Sequence, residues 1–195
     1  MMTEKEITQE QVNQLVEDAA YLQDEADALQ YVIDNVPYEV KPPGKRSIAE
    51  ILLLIDHAQL SYFRPIMEET VKSKRPTHID NFTHYEDSFE FDGEVNNIQK
   101  ILRKISKHRV GFVNSIKEIS LIDWETVIYE DNNPILLFNF MQEMIQFERR
   151  MLKEIANRAM VYSKEKENRR EIESRRDRQQ TNNNSDNSAD KPTRK

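Results

Sequence analysis

The chain has 195 residues, a net charge of −7 at pH 7 and no cysteine. This length suits one domain with a hydrophobic core, and the absence of cysteine excludes disulfides, thiolate zinc sites and cysteine nucleophiles. Only three glycines occur. Because all-β folds use glycine in turns and bulges, this scarcity favours a helical protein.

The negative charge lies outside the C-terminal segment: residues 164–195 carry a net +3 and the remaining residues a net −10. Affinity for duplexes depends on neutralising phosphates, so an acidic body argues against nucleic acid as a partner. The first residues lack the apolar core of a secretory signal, and no apolar run reaches the length of a membrane span. We therefore expect no membrane segment and a cytoplasmic location.

The first predicted helix extends from about Thr8 to Asn35. Thr8 and Gln11 have the spacing of a capping box, in which each side chain bonds the backbone of the other residue. Apolar residues then recur in steps of three and four along one face: Val12, Leu15, Ala19, Leu22, Ala26, Leu29 and Ile33. Such a stripe is typical of a helix in an antiparallel bundle.

The second predicted helix begins at Ser47 and continues to about Ser73. Ser47 and Glu50 form a second capping box, placed directly before an apolar run. Pro65 lies inside the helical pattern. It has no N–H to donate and crowds the carbonyl of Ser61, so we expect a kink there rather than the end of the helix.

Residues 74–92 form a long predicted connection. Loops of this length in compact domains are usually functional or ordered by packing. Four aromatic residues predict that this connection folds back over one edge of the bundle: Phe82, Tyr85, Phe89 and Phe91.

The third predicted helix runs from about Asp92 to Ile119, and Arg109 interrupts its apolar stripe. One interpretation is an arginine that extends its charged end to solvent at the bundle edge. The other is an arginine that faces a cavity and binds an anion.

The fourth predicted helix follows a connector over residues 121–132, with Asn133 as N-cap and Pro134 at the first helical position. Together, the four stripes predict an all-α, up-down-up-down antiparallel four-helix bundle over residues 8–163. Residues 164–195 are predicted to form a charged helical extension and then, from Gln179, a disordered polar tail.

Two segments resemble the DinB/YfiT-like family of four-helix bundles. Residues 42–52 (PPGKRSIAEIL) resemble the turn and start of that family's second helix, and residues 144–155 (MIQFERRMLKEI) resemble its His-Glu-x-x-His segment on the last helix. With the helix layout, the resemblance covers roughly residues 11–163. The family pattern has a tryptophan where this chain has Arg46.

The resemblance implies a divalent metal held by three histidines, and this sequence departs from it at all three. The family's histidine positions correspond to Leu54, Phe147 and Met151. Leucine and phenylalanine have no lone pair to donate, and a thioether is a poor ligand for the metals concerned. The resemblance therefore implies a retained bundle with a degenerate metal site.

A relocated polar site is the alternative. Its candidate residues are His57, His108, Arg109 and Glu148, although nothing in their spacing requires them to converge. No two of the four histidines stand three or four residues apart. The preferred interpretation is that each histidine is a surface or partly buried residue with an ordinary partner.

Three functional hypotheses follow. The first is a non-catalytic DinB-like bundle without catalytic, metal or cofactor-binding residues, whose partner is an unknown protein, a small apolar ligand or a second copy in a homodimer. The second is a metal-dependent, thiol-using transferase of the DinB-like family with a relocated metal site. The third is a helical adaptor that docks a partner through its charged C-terminal extension.

Overall fold

A computed structural model of the protein describes residues 6–93, 95 and 97–186. The chain divides into two compact units, the first ending at Ala156 and the second beginning at Asn157. The α-helices are α1 (Gln9–Leu29), α2 (Ile48–Ala58), α3 (Arg64–Ser73), α4 (Phe82–Ser88), α5 (Ile98–Lys117) and α6 (Leu137–Asp186). The strands are β1 (Thr77–Ile79), β2 (Val127–Glu130) and β3 (Asn133–Leu136).

Both predicted capping boxes are present. The Thr8 side chain accepts a hydrogen bond from the Gln11 backbone N–H, and the Gln11 side chain accepts one from the Thr8 N–H. Ser47 and Glu50 make the same reciprocal pair at the start of α2. The first helix ends earlier than expected, at Leu29, and a short 3-10 turn follows before residue 36.

The interruption predicted at Pro65 takes the form of a π-helical turn. This turn covers Gln59–Phe63 and joins α2 to α3, so that Pro65 occupies an early position of α3. A proline is tolerated in a first helical turn, where its missing N–H has no intrahelical role. The helix then continues to Ser73, as predicted, and ends with Lys74 in the left-handed conformation.

Contacts at the helix ends establish the direction of α5. The Gln99 side chain, at the start of α5, donates a hydrogen bond to the Gln30 carbonyl oxygen at the end of α1 (2.7 Å). Just after α5, Asp123 forms an ion pair with Lys74 at the end of α3 (3.5 Å). Helix α5 is therefore antiparallel to α1 and parallel to the α2–α3 pair.

The first part of α6, up to Ala156, runs antiparallel to the α2–α3 pair. Lys45, which precedes α2, lies 3.9 Å from Glu154 in an ion pair. At the other end, the Phe63 ring packs against Phe140 with centroids 5.3 Å apart. The four long helices therefore run up, down, down and up.

The all-α four-helix bundle is confirmed, whereas the strictly alternating order of directions differs from the structure. Two neighbouring parallel helices need a connection that returns along the length of the bundle. The 24 residues between Ser73 and Ile98 provide it, and we call residues 74–97 the crossover segment. Its length was the sequence signal for this topology.

A small three-stranded sheet replaces the predicted start of the fourth helix. Strand β1 pairs in parallel with β2, and β2 pairs with β3 through a tight hairpin. The hairpin turn is formed by Asp131 and Asn132, both with positive φ (47° and 67°), as a two-residue turn requires. Asn133 and Pro134 therefore lie on edge strand β3 instead of capping a helix, and an edge position tolerates the missing proline N–H.

Two further boundaries differ from the prediction. Helix α5 begins at Ile98, six residues after the expected start, because the Asn97 side chain caps it by accepting from the Lys100 N–H (2.9 Å). Helix α6 continues through residues 179–186, where we expected no structure. Ion pairs between residues four apart in the preceding turns, such as Arg175 with Glu171, favour continuation of the helix. The rest of the predicted tail lies outside the described residues. The boundary predicted between residues 163 and 164 stays a prediction.

Among the helices that the structure describes, none combines the length and hydropathy needed to cross a membrane.

Candidate functional site

The three positions that the sequence resemblance assigns to the family's metal ligands lie in the protein interior. Leu54 is fully buried, and Phe147 and Met151 are 5% and 8% exposed. Leu54 lies on α2 and the other two on α6, which run antiparallel to each other. None of these side chains offers a nitrogen or oxygen donor.

The crossover segment covers Phe147. The Phe82 ring, on α4, packs edge-on against Phe147 with centroids 4.6 Å apart, and it also lies 4.7 Å from Phe63. Tyr85 of the same helix packs against Tyr62 at 5.1 Å. The prediction that the crossover aromatics fold back over the bundle is confirmed for Phe82, Tyr85 and Phe89. Phe82 packs on Phe147 together with Phe63.

Arg109 and Glu148 form an ion pair in the core of the bundle. Both side chains are 2% exposed, and an Arg109 terminal nitrogen donates to Glu148 Oε1. The guanidinium also lies over the Phe112 ring, 5.5 Å from its centroid. The interpretation of Arg109 as a solvent-reaching edge residue is therefore wrong, because its charged end is buried and paired.

This pair is incompletely satisfied. Arg109 Nε and Nη1 and Glu148 Oε2 are buried and have no hydrogen-bond partner among the residues that the structure describes. Burial raises the pKa of the Glu148 carboxyl above its ordinary value, and the nearby Arg109 charge opposes this shift. The arrangement holds two charges at considerable desolvation cost and leaves part of their bonding capacity unused.

The two histidines of the proposed relocated site have other partners. His108 Nδ1 lies 2.6 Å from Asp56 Oδ1, and Lys104 binds the second carboxylate oxygen of Asp56 at 3.1 Å. His57 is exposed and pairs with the Tyr85 hydroxyl, with the two rings 5.8 Å apart. His57 thus belongs to an exposed pair, whereas His108 is partly buried beside the buried Asp56.

The four candidate residues therefore make three separate arrangements: Arg109 with Glu148, His108 with Asp56, and His57 with Tyr85. Within the described part of the chain, no three His, Cys, Asp or Glu side chains are grouped so as to hold a metal ion. The residues present in this region do not fit a metal centre of the family's kind.

A cleft of about 650 Å³ lies where the crossover segment meets the β2–β3 hairpin. Residues that the sequence analysis did not single out line most of it, including His78, Asp80, His84, Tyr129 and Asp131. The signal was the concentration of His, Tyr, Asp and Asn in residues 78–85 and 129–132. Sequence reasoning missed it because these segments are about 50 residues apart and meet only in the folded chain, where β1 pairs in parallel with β2.

Comparison with known proteins gives a similarity of fold alone. No protein-family profile and no curated protein matches the sequence. The structure is similar to that of YfiT from Bacillus subtilis, described as a probable metal-dependent hydrolase with an unusual four-helix bundle topology. The TM-score is 0.68 at 9% sequence identity, and the match covers 84% of this chain and 94% of that one. The fold is thus the YfiT-like four-helix bundle.

Proposed function

We propose that this chain is a non-catalytic protein built on the DinB/YfiT-like bundle, with an apolar contact where the family has its metal centre. Its role is then structural, or the binding of a protein or a small apolar ligand. The supporting observation is the burial of Leu54, Phe147 and Met151, none of which can donate a nitrogen or oxygen to a metal.

The surroundings of these positions support the same proposal. Phe147 is packed against Phe63 and Phe82, so a water molecule or substrate would have to displace aromatic rings to reach it. Two charged side chains of the core, Arg109 and Glu148, are bound to each other. A metal-activated water needs an open coordination position, which closely packed rings do not provide.

The alternative is a metal-dependent, thiol-using transferase with a relocated metal site. The observation that favours this alternative is the similarity of fold to YfiT, which is described as a probable metal-dependent hydrolase. It requires His57, His108, Arg109 or Glu148 to leave the partners described above. Metal analysis distinguishes the two proposals, because only the alternative expects a stoichiometric divalent ion that a chelator removes with loss of stability.

The direct test measures the metal content and thermal unfolding of the purified wild-type protein, with and without a chelator. We expect no stoichiometric divalent ion and an unchanged Tm. A bound ion at one per chain, together with a chelator-induced fall in Tm, would show that the proposal is wrong.

A designed variant tests the alignment that places Leu54, Phe147 and Met151 at the family's histidine positions. Replacing Leu54, Phe147 and Met151 with histidine removes buried apolar area worth about 1.5–3 kcal/mol per side chain and buries three polar rings. We expect this variant to lose stability and to recover much of it with zinc or nickel, because a metal that binds only the folded state adds to its stability.

The matched control keeps two of these histidines and moves the third. In it, Met151 is retained and Ile155, also buried, becomes histidine. Positions 147 and 155 are two helix turns apart, about 12 Å, so their imidazoles cannot share one ion. Equal metal rescue of both variants, or rescue of neither, would refute the register that assigns the three positions.

The proposal includes a protein partner or homodimer and a cytoplasmic location. Support for a protein contact comes from the α1–α2 connection, where Tyr31, Val32 and Val40 are 87%, 47% and 62% exposed. Sedimentation of the full chain measures self-association. A strictly monomeric protein at all concentrations would leave a different protein or a small ligand as the partner.

A further inference from the structure

The cleft between the crossover segment and the hairpin has fixed walls. The Asp131 backbone N–H donates to the Ile79 carbonyl (3.1 Å), and the Asp131 side chain accepts from the Asn81 N–H (3.2 Å). From the helical side, the Tyr62 hydroxyl donates to the Asp80 carbonyl (2.6 Å). These bonds tie the three segments that line the cleft, so its shape is set before any ligand arrives.

Size and aromatic lining indicate a ligand site. A volume of about 650 Å³ falls in the range of roughly 300–1,000 Å³ that is usual for small-molecule sites. Tyr85 and Tyr129, both half-buried, present aromatic surface to it. The Tyr129 ring is held in place by stacking on His78, with centroids 5.0 Å apart and planes 12° apart.

The formal charges that line the cleft come from carboxylates, although His78 and His84 line it as well. Asp80 and Asp131 line it, and no lysine or arginine does so in the part of the chain that the structure describes. The pKa of the Tyr62 hydroxyl is raised, first by burial and then by nearby negative charge. The charges that raise it belong to four carboxylates: Glu130, Glu143, Asp131 and Asp80. A ligand in this cleft meets aromatic rings inside a negative potential.

We propose that this cleft binds a small organic cation, an alkylated ammonium group on a short apolar or hydroxylated body. Aromatic faces attract such a cation through their quadrupoles, and carboxylates at the rim add attraction without the directed geometry that a metal needs. An anion would be repelled by Asp80 and Asp131. The inference is independent of the former metal site and stands whether or not that site binds a metal.

The test uses choline as the probe. The control ligand is 3,3-dimethylbutan-1-ol (called dimethylbutanol below), the neutral compound in which carbon replaces the choline nitrogen. Binding to the full chain is followed by amide chemical-shift changes in a buffer containing a chelator, which keeps metal effects out. We expect saturable choline binding that shifts amides of residues 78–88 and 129–132 and weakens with salt. Dimethylbutanol should bind several-fold more weakly.

Charge and ring contributions are separated by variants. Asp131→Asn removes one carboxylate while keeping the side-chain acceptor for Asn81 and a residue type that tolerates positive φ. It should weaken choline binding roughly threefold to tenfold. Asp24→Asn, an exposed change on α1 with the same change in net charge, should leave the affinity unaltered.

Tyr129→Leu and Tyr85→Leu each remove an aromatic face and should weaken choline binding roughly twofold to fivefold. Two tyrosines are changed separately because Tyr129 lies in β2 and its loss also affects the sheet, whereas Tyr85 lies on α4. The proposal is overturned by equal affinities for choline and dimethylbutanol, by unchanged affinity in Asp131→Asn, or by the absence of saturable choline shifts at the cleft.

Discussion

Replacing one partner of the buried Arg109–Glu148 pair is expected to destabilise the bundle. The loss should be larger when Glu148 is replaced than when Arg109 is replaced. In Glu148→Leu, a guanidinium that cannot lose its proton stays in the core without a counter-charge. The expected loss is about 3–5 kcal/mol, as for other buried pairs broken on one side. Because both side chains are 2% exposed, solvent offers little compensation.

Arg109→Met should cost less, because the remaining Glu148 can become neutral. Burial already raises the pKa of this carboxyl, and the Arg109 charge that opposed the shift is gone in the variant. A folded-state pKa above the unfolded value of 4.5 means that the folded protein binds the extra proton. The contribution of the Glu148 carboxyl to the free energy of unfolding therefore decreases as the pH rises from the unfolded-state pKa through the raised folded-state pKa. The variant should lie closer to wild type in mild acid than at neutral pH.

The double variant Arg109→Met/Glu148→Leu removes both charges and the three buried atoms that lack a hydrogen-bond partner in the described part of the chain. It should be close to wild type, or more stable by about 1–4 kcal/mol, since apolar replacements of buried ion pairs often stabilise. Urea unfolding followed by far-UV circular dichroism measures all four proteins at two pH values. Losses that simply add in the double variant, or single losses below about 1 kcal/mol, would refute the assignment of a desolvated core pair.

Three further predictions concern local structure. Ser47→Ala removes the side chain that accepts from the Glu50 N–H (3.1 Å), and urea unfolding should show a loss of about 1 kcal/mol; no loss would contradict the capping role. Asn132→Val places a β-branched residue at φ 67° and should cost about 1–3 kcal/mol, whereas Asn132→Gly should be nearly neutral; equal effects would exclude the turn conformation. Trp124 is fully buried, so its fluorescence should shift to longer wavelength on unfolding, and a native emission typical of exposed indole would contradict its placement.

The starts of the first two helices could be predicted because their determinants are local. Thr8 with Gln11, and Ser47 with Glu50, satisfy orphan N–H groups within one turn, so four consecutive residues contain the whole signal. The stripe of apolar residues likewise fixes which face of each helix is buried. Neither the capping boxes nor the apolar stripes depend on contacts with distant parts of the chain.

The start of the fourth helix could not be read in the same way. Asn133 followed by Pro134 is a local helix-start pattern, but it is also compatible with an edge strand after a tight turn. The choice is made by pairing of β2 with β1, whose residues lie about 50 positions earlier. The β-branched and aromatic residues of Val127–Glu130 were the available evidence for a strand.

The candidate site was predicted in part. The apolar character and burial of Leu54, Phe147 and Met151 agree with their sequence pattern, while their mutual contact stays a prediction. The partners of Arg109 and His108 could not be predicted, because pairing in the core depends on the helix directions. Those directions were expected to alternate, and the parallel α2 and α5 helices place Asp56 beside His108 instead.

The crossover segment links the topology to both proposals. Because α2–α3 and α5 are parallel, the chain must return along the bundle, and its return path lays Phe82 over Phe147. The same path begins at β1, whose pairing with β2 brings Asp80 beside Asp131 at the cleft. A short connection in an alternating bundle would do neither. The long connection therefore accounts physically for a covered interior position and for an open, acidic and aromatic cleft on the surface.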